Sequence, residues 1–456
     1  MHTEPPLNRR DFLKGGSFAA LMTMMGGVQL LGQATDAVDA SMKLDLPKVK
    51  VGLIGLGPWG REILDQLGRL EQADIAAICD NYPAMVRRSA SKAPGAAPVE
   101  DYRAILDNKD IQAVIVATPS HQHKDIAIAA LKAGKHVYCE APLATTVEDA
   151  KEIALTAKNS VGQVFQAGLQ MRSSPQRLFL LPFIRSGALG KPVMARSQWH
   201  KKQSWRASSP NAEREKVVNW RLNRATSPGL IGEIGIHALD QTGWYFNTEP
   251  VAVTGFGSTM LWNDGRDVPD TVQVVVEYPG GLRLSYDATL ASSFDSEYEL
   301  LSGGEATVMM RSDNVGKEVA WMFKEVDSAL LGWEVYARKD NFYKETGIVL
   351  AAGSSKQTAL VDQPTGETAA APPPLYHALK AFLANSSEVG TAVENFNSLF
   401  DANDKAALAT SLQSLSLSPF AGYQEGFAAT VLGLTANEAV NNNRRIELKK
   451  EWFELA

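Results

Sequence analysis

Six residues, Gly55-Leu-Gly-Pro-Trp-Gly60, restrict the fold of this chain more than any other stretch. An apolar run at 48–54 reads as a strand directly before them, and a helical pattern follows over 61–70. A second apolar run at 74–79 ends in Asp80. In such a βαβ unit the first glycine permits the tight turn, the second admits a pyrophosphate, and the third lets the helix pack on the strand. The pattern predicts a doubly wound, parallel α/β domain that binds a dinucleotide.

The acidic residue after the second strand indicates which dinucleotide is bound. Asp80 is placed to accept hydrogen bonds from the adenosine ribose hydroxyls, and its charge would repel a 2′-phosphate. We therefore expect NAD rather than NADP. Arg87 and Arg88 follow closely in the sequence and could weaken the preference for NAD. The predicted cofactor-binding turn consists of Gly55, Leu56, Gly57, Pro58, Trp59 and Gly60.

Further strands alternate with helices up to about residue 170. Apolar runs at 111–117, 136–139 and 163–167 read as strands, with a helix at 124–133. Ligands of doubly wound sheets lie beyond the carboxyl ends of the strands. The residues expected to line the nicotinamide side of the site are Thr118, Pro119, His123, Glu140 and Ala141.

The second half of the chain has a different pattern. Alternating runs at 193–200, 251–257, 270–278 and 282–287 predict a large, open, mostly antiparallel sheet. We expect a dinucleotide domain over 48–170 and an α+β domain over 171–456, with a linker near 365–374. C-terminal helices are predicted at 375–385 and 423–442.

The stretch 232–246 carries the residues most typical of catalysis. Read as an α-helix, it places Glu233, His237, Asp240 and Trp244 on one face. A histidine flanked by acids suits a general base whose tautomer and basicity a carboxylate sets. The alternative is a capped, solvated helix face without chemistry.

Other polar and aromatic residues are candidates for substrate contact. We expect Arg172, Lys201, Arg221 and Asp240 to bind substrate, and Lys202 is a further candidate. Indoles that could stack on a sugar ring are those of Trp199, Trp205 and Trp220. His121 and His123 have the spacing of a metal pair, but without further clustered Cys or His we expect no metal.

The N-terminus has the composition of an export signal. A basic stretch containing Arg9 and Arg10 precedes a mostly apolar run, 18–31, and small residues lead to Ala40. The run is too short and too rich in glycine to span a bilayer stably. The paired arginines resemble a twin-arginine signal over 1–40, which implies export of a folded, periplasmic protein by the twin-arginine machinery. The net charge of −6 argues against a nucleic-acid partner.

Three motifs together resemble the glucose–fructose oxidoreductase/inositol dehydrogenase (Gfo/Idh/MocA) family. They are the turn at 55–60, Ala117-Thr-Pro-Ser-His-Gln-His123, and the stretch from Ala133 to Ala144. The resemblance implies the strand order 3-2-1-4-5-6, which separates Cys79 from Cys139 by three strand spacings, so we expect two free thiols. It also implies that His237 is the catalytic histidine, supported by Glu233, and that Ala141 stands where the family has a catalytic lysine.

Three functions are compatible with these features. The first is an exported oxidoreductase that holds NAD tightly and oxidises a sugar or polyol, with His237 as base. The second is an NAD-dependent glycosidase that oxidises its substrate only transiently. The third, suggested by Ala141, is a sugar-binding protein without activity. The open face of such a sheet leads us to expect a homo-oligomer.

Overall fold

The computed structural model describes residues 47–312, 318–325, 347–350 and 372–455. The signal predicted over 1–40, and all but the last residues of the linker predicted near 365–374, lie outside these ranges.

The first unit is a parallel sheet of six strands with helices on both faces. Its strands are β1 (Val49–Ile54), β2 (Ala73–Cys79), β3 (Ala97–Val99), β4 (Ala113–Val116), β5 (His136–Cys139) and β6 (Phe165–Ala167). The connecting helices are α1 (Pro58–Leu67), α2 (Pro83–Ser89), α3 (Arg103–Asp107), α4 (His123–Lys132) and α5 (Val147–Asn159). The strand order is β3-β2-β1-β4-β5-β6, which confirms the predicted doubly wound arrangement.

The second unit is built on an open sheet. Its strands are β7 (Pro192–His200), β8 (Ala252–Ser258), β9 (Thr271–Glu277), β10 (Arg283–Thr289), β11 (Glu297–Gly303), β12 (Ala306–Ser312), β13 (Glu318–Lys324), β14 (Gly347–Leu350) and β15 (Arg445–Glu447). In the described part of the chain these nine strands follow the order β14-β13-β12-β11-β7-β10-β9-β8-β15. Only the β7–β10 pair among them is parallel, so the predicted, mostly antiparallel sheet is confirmed.

One face of the second sheet is covered by helices. Along β10 the side chains of Leu284, Tyr286 and Ala288 are buried, whereas those of Arg283 and Ser285 are exposed. This alternation is typical of a sheet with one packed face. The helices of this part of the chain are α6 (Pro175–Arg185), α7 (Ala212–Val218) and α8 (Ile236–Phe246).

The C-terminal helices join the two units. They are α9 (Pro374–Leu399), α10 (Lys405–Leu412) and α11 (Tyr423–Asn442). Leu379 and Phe382 of α9 are fully buried in the core of the first sheet, where Phe382 packs edge-on against Tyr138 at 5.7 Å between ring centres. The side-chain amide of Gln166 in β6 donates to the carbonyl of Ala378. A helix from the end of the chain therefore covers one face of the first sheet.

The two cysteines are free and buried, as predicted. Cys79 ends β2 and Cys139 ends β5, and β1 and β4 lie between those strands. Burial raises the pKa of the Cys79 thiol to about 12, so it is a poor nucleophile.

Within the described ranges, no helix combines the length and the apolar character that crossing a bilayer requires.

Candidate active site

The turn between β1 and α1 has the geometry of a phosphate cradle. Gly55 adopts a positive φ of 98°, and a Cβ added to Gly60 would lie 2.0 Å from the carbonyl oxygen of Gly55. A Cβ added to Gly57 would meet no atom within 4 Å, because that side of the turn is open. The helix α1 then begins at Pro58 and presents its unpaired N–H groups to the same space. These features fit the pyrophosphate of a dinucleotide.

Asp80 is held at the adenosine end of this cradle. Its carboxylate accepts hydrogen bonds from the backbone N–H groups of Leu56, at 2.9 Å, and Tyr82, at 2.8 Å. The first bond ties the acid to the glycine-rich turn. This is the position from which an acid reaches the ribose hydroxyls.

Unsatisfied polar atoms lie at the carboxyl ends of β4 and β5. In the described residues, Thr118 Oγ1 and Glu140 Oε1 are buried without a hydrogen-bond partner, and so is Nε of Arg221. Buried polar atoms without partners are rare and costly in folded proteins. The first two lie where the nicotinamide end of a dinucleotide is expected, so the predicted residues fit the cofactor.

Glu140 is the most strongly perturbed acid at this edge. Burial raises its pKa to about 7, against the opposing effects of the Trp59 indole, the backbone of Ala141, the Tyr138 hydroxyl and the charge of Arg221. Such a carboxyl is partly protonated near neutral pH and can both give and take a proton.

Glu233 brings a second acid to the same edge from the other unit. It lies in a π-helical turn, Ile231–Gly235, directly before α8. Its Oε1 accepts hydrogen bonds from the hydroxyls of Ser120, at 3.0 Å, and Ser227, at 3.2 Å. Nε of Arg221 lies 3.5 Å from its Oε2. Burial raises the pKa of Glu233, and the Arg221 charge opposes that shift.

Glu233, which the sequence predicts to support His237, forms no hydrogen bond with it and accepts from Ser120 and Ser227 instead. The prediction assumed continuous α-helical geometry, but the wider π-helical turn changes the angle between the two side chains. No described residue is hydrogen-bonded to the His237 ring, and burial lowers its pKa while the charge of Asp240 opposes the shift. His237 is therefore a neutral imidazole at neutral pH, and its tautomer is not set by Glu233.

Two residues predicted to bind substrate bind each other. Arg172 Nε donates to Asp240 Oδ2 at 2.9 Å, and Nη2 donates to Oδ1 at 2.7 Å. The Arg172 guanidinium also lies 5.4 Å from the centre of the Trp244 ring. This two-pronged pair occupies both oxygens of Asp240.

Arg221 is held between two indoles. Its guanidinium carbon lies 4.8 Å from the Trp220 ring centre and 5.6 Å from that of Trp205. Trp205 has a φ of 63°, an uncommon conformation for a bulky residue that often marks functional positions. The side chains of Lys201 and Lys202 are exposed, and Trp199 is half-buried near the end of β7.

The two histidines after β4 have separate partners. Each ring nitrogen of His123 lies 2.9 Å from a backbone carbonyl oxygen, that of Pro142 or Thr118, so His123 braces two strand ends and has no free nitrogen for a ligand. Nδ1 of His121 lies 3.2 Å from the carbonyl oxygen of Thr226. In the described part of the chain, no group of three or more His, Cys, Asp or Glu side chains is arranged to hold a metal ion.

A cavity of about 180 Å³ lies between the two units beside His121. Its walls are formed by His121, Gln122, Lys216, Val217, Trp220 and Thr226.

Both halves of the chain match models of one protein family. Residues 49–168 match the GFO/IDH/MocA oxidoreductase family model for an NAD-binding Rossmann fold, and residues 182–307 match the C-terminal domain model of the same family. Together the two ranges cover more than half of the chain. The chain belongs to the Gfo/Idh/MocA family. Its first unit is therefore an NAD-binding Rossmann domain.

Curated relatives of this family member include enzymes of two kinds. The levoglucosan dehydrogenase of Pseudarthrobacter phenanthrenivorans is 32% identical over 203 residues, which are 43% of this chain and 50% of that protein. The alpha-N-acetylgalactosaminidase of Shewanella oneidensis is 28% identical over 233 residues, which are 47% of this chain and 50% of that protein. The chain thus spans about half the length of each of these relatives.

A solved structure shares the fold over most of the chain. The levoglucosan dehydrogenase complex with NADH and L-sorbose superposes with a TM-score of 0.66 at 20% identity and covers 89% of this chain and 100% of that one.

Two site residues were missed by sequence reasoning. Ser120 lies within the motif 117–123 and could have been singled out as a hydroxyl at a strand end. Ser227 lies in a loop, and no local pattern signals that its hydroxyl reaches Glu233.

Proposed function

We propose that this protein is an exported, NAD-dependent oxidoreductase that oxidises a hydroxyl group of a sugar or polyol and keeps its cofactor tightly bound. The observation that carries the proposal is the contact between the two units at the strand-end edge, where Ser120 donates to Glu233 and the charge of Arg221 acts on Glu140. A dinucleotide on the Gly57 cradle would extend toward this meeting point. The export part rests on the sequence of residues 1–40 alone.

His237 is the proposed base. When bound, NAD supplies the group that accepts hydride from the substrate carbon. The hydroxyl proton must leave at the same stage, and a neutral imidazole can take it. Because burial keeps the His237 pKa below its ordinary value, the ring is unprotonated at neutral pH.

Arg221 is the proposed source of positive charge for the reacting oxygen. Alanine at position 141 offers no charged group, and Lys201 and Lys202 have exposed side chains that make no described hydrogen bond or ion pair with the ends of the Rossmann strands. Arg221 lies within 3.5 Å of Glu233 and lowers the pKa of Glu140. A guanidinium held by two indoles stabilises negative charge on oxygen without needing to titrate.

The test uses the full chain purified with its cofactor. The absorbance of reduced nicotinamide is recorded while sugars and polyols are added, and lasting reduction of bound NAD supports the proposal. His237→Asn and Arg221→Ala should each slow reduction by about 10²- to 10⁴-fold while NADH still binds. Arg283→Ala, an exposed arginine of β10, is the control and should react at the unaltered rate. Full activity of His237→Asn would rule out its role as base.

A second candidate is an NAD-dependent glycosidase. An elimination that uses transient oxidation needs two proton-transfer groups. Glu140, with a pKa of about 7, lies at the edge where the reaction is proposed and would be the second such group beside His237. The similarity to an alpha-N-acetylgalactosaminidase supports this alternative. Release of free sugar from a glycoside without lasting reduction of NAD would favour it. If added sugars stabilise the protein against unfolding but cause neither lasting reduction of NAD nor release of free sugar, the protein is instead a sugar-binding protein.

A further inference from the structure

We propose that residues 203–222, here called the clasp, close over the NAD site and slow cofactor release through a contact between Arg214 and Tyr82. The clasp belongs to the second unit and contains α7. The inference rests on the NAD-binding Rossmann domain and explains the tight binding in the proposed function. It is independent of the substrate.

The clasp is internally braced. The buried side chain of Asn219 accepts a hydrogen bond from the backbone N–H of Ala207 at 2.7 Å and donates to its carbonyl at 3.1 Å. The Asn211 side chain caps α7 by accepting from the N–H of Arg214 at 2.8 Å. These bonds close the segment into a loop of defined shape, which can transmit a contact at its tip to its base.

The tip of the clasp reaches the adenosine end of the cofactor site. The Arg214 guanidinium carbon lies 4.0 Å from the centre of the Tyr82 ring, on the other unit. Tyr82 donates its backbone N–H to Asp80, the acid that faces the ribose. The contact therefore joins the second unit to the chain segment that holds the adenosine.

The base of the clasp reaches the nicotinamide end. The Trp220 ring lies 6.2 Å from that of His121, which follows β4. The next residue is Arg221, whose Nε lies 3.5 Å from Glu233. Because the clasp touches the Rossmann unit at both ends of the strand-end edge, an extended dinucleotide along that edge cannot leave until at least one contact opens.

The Arg214–Tyr82 pair is the contact that can be removed without altering the reacting groups. A cation stacked on an aromatic ring at a partly buried position contributes enough to change a rate by roughly 5- to 30-fold. Loss of this contact should raise the rate at which NADH dissociates. The rate of association should change little, because NADH can enter only when the clasp is open.

The experiment measures the release of NADH from the full-length holoprotein. NADH fluorescence is followed after dilution into a large excess of NAD⁺. Arg214→Ala should release NADH roughly 5- to 30-fold faster than the unaltered protein, with Arg214→Lys between the two. Glu213→Ala, an exposed change in the same helix, is the matched control and should leave the rate unchanged. Tyr82→Ala should accelerate release to the same extent, and the double variant no further.

Two results would overturn the clasp. One is a release rate of Arg214→Ala equal to that of the unaltered protein, and the other is equal acceleration by Arg214→Ala and Glu213→Ala. If the unaltered protein itself releases NADH rapidly, the proposed function is wrong in its claim of a tightly bound cofactor. The ratio of the release rates of Arg214→Ala and Glu213→Ala would still show whether the clasp slows release.

Discussion

Arg172 and Asp240 form a buried, two-pronged ion pair, with 16% and 5% of their side chains exposed. The pair links the 3₁₀ turn Gln170–Ser173, which follows the Rossmann sheet, to helix α8, which carries His237. Its place in the structure indicates that it fixes the orientation of α8 against the Rossmann unit.

Breaking this pair should destabilise the protein strongly. Asp240→Asn leaves a buried guanidinium without its counter-charge, so we expect the free energy of unfolding to fall by about 3 kcal/mol. Asp110→Asn is the control, because the Lys50–Asp110 pair has 45% and 77% of its side chains exposed and should cost less than about 1 kcal/mol. Urea unfolding of both variants measures the difference, and equal losses would contradict a structural role for Asp240.

Glu140 should make stability depend on pH when no cofactor is bound. Because its pKa rises from 4.5 to about 7, its contribution to stability is complete below the lower value and is lost as pH rises through the higher one. Between about pH 5 and about pH 8, the unaltered protein should lose on the order of 3 kcal/mol of unfolding free energy through this carboxyl. The Glu140→Gln variant has a neutral side chain at every pH, so it should not show this loss. Glu71→Gln, on an exposed turn, should behave like the unaltered protein. Parallel pH profiles for Glu140→Gln and the unaltered protein would show that this carboxyl is not buried as described.

Gly57→Ala should separate NAD binding from folding. The added methyl group meets no protein atom within 4 Å, so the thermal midpoint should not change. It would occupy the space expected for the pyrophosphate, and we expect affinity for NAD to fall by at least about tenfold. Gly95→Ala also meets no atom within 4 Å, lies away from the turn, and should bind NAD normally. Calorimetric titration with NAD measures the affinity of both variants. Undiminished binding by Gly57→Ala would show that the pyrophosphate binds elsewhere.

The acidic limb of the activity profile should report on His237. Burial holds the pKa of this imidazole below its ordinary value of 6.5, so the unprotonated ring persists to more acidic pH. Reduction of bound NAD at saturating substrate should therefore stay constant from neutral pH down to about that value and decline only below it. Stopped-flow absorbance gives the profile, with NAD binding checked at each pH. An acidic limb centred above pH 6.5 would contradict a histidine whose pKa is lowered.

The Rossmann unit could be predicted from the sequence because its signals are local. The glycines at 55, 57 and 60 and Asp80 each act within one βαβ unit, and all of them lie where predicted. The order of the sheet followed from the family resemblance.

The site between the units could be predicted only in part, because it depends on contacts distant in sequence. Glu233 is hydrogen-bonded to Ser120, 113 residues away. It also lies in a π-helical turn just before His237, and residue spacing does not reveal such a turn. Helix α9 was predicted to end at Asn385 but continues to Leu399, since Asn385 exchanges two hydrogen bonds with the backbone of Ser418. That partner satisfies an amide that otherwise favours ending a helix.

Helix α9 imposes an order on how the protein can be made. When the ribosome has released only the Rossmann strands and their connecting helices, one face of the sheet is covered only in part, by α1, since Leu379 and Phe382 are still to be translated. A fragment cut after β6 lacks this apolar cover and should therefore aggregate.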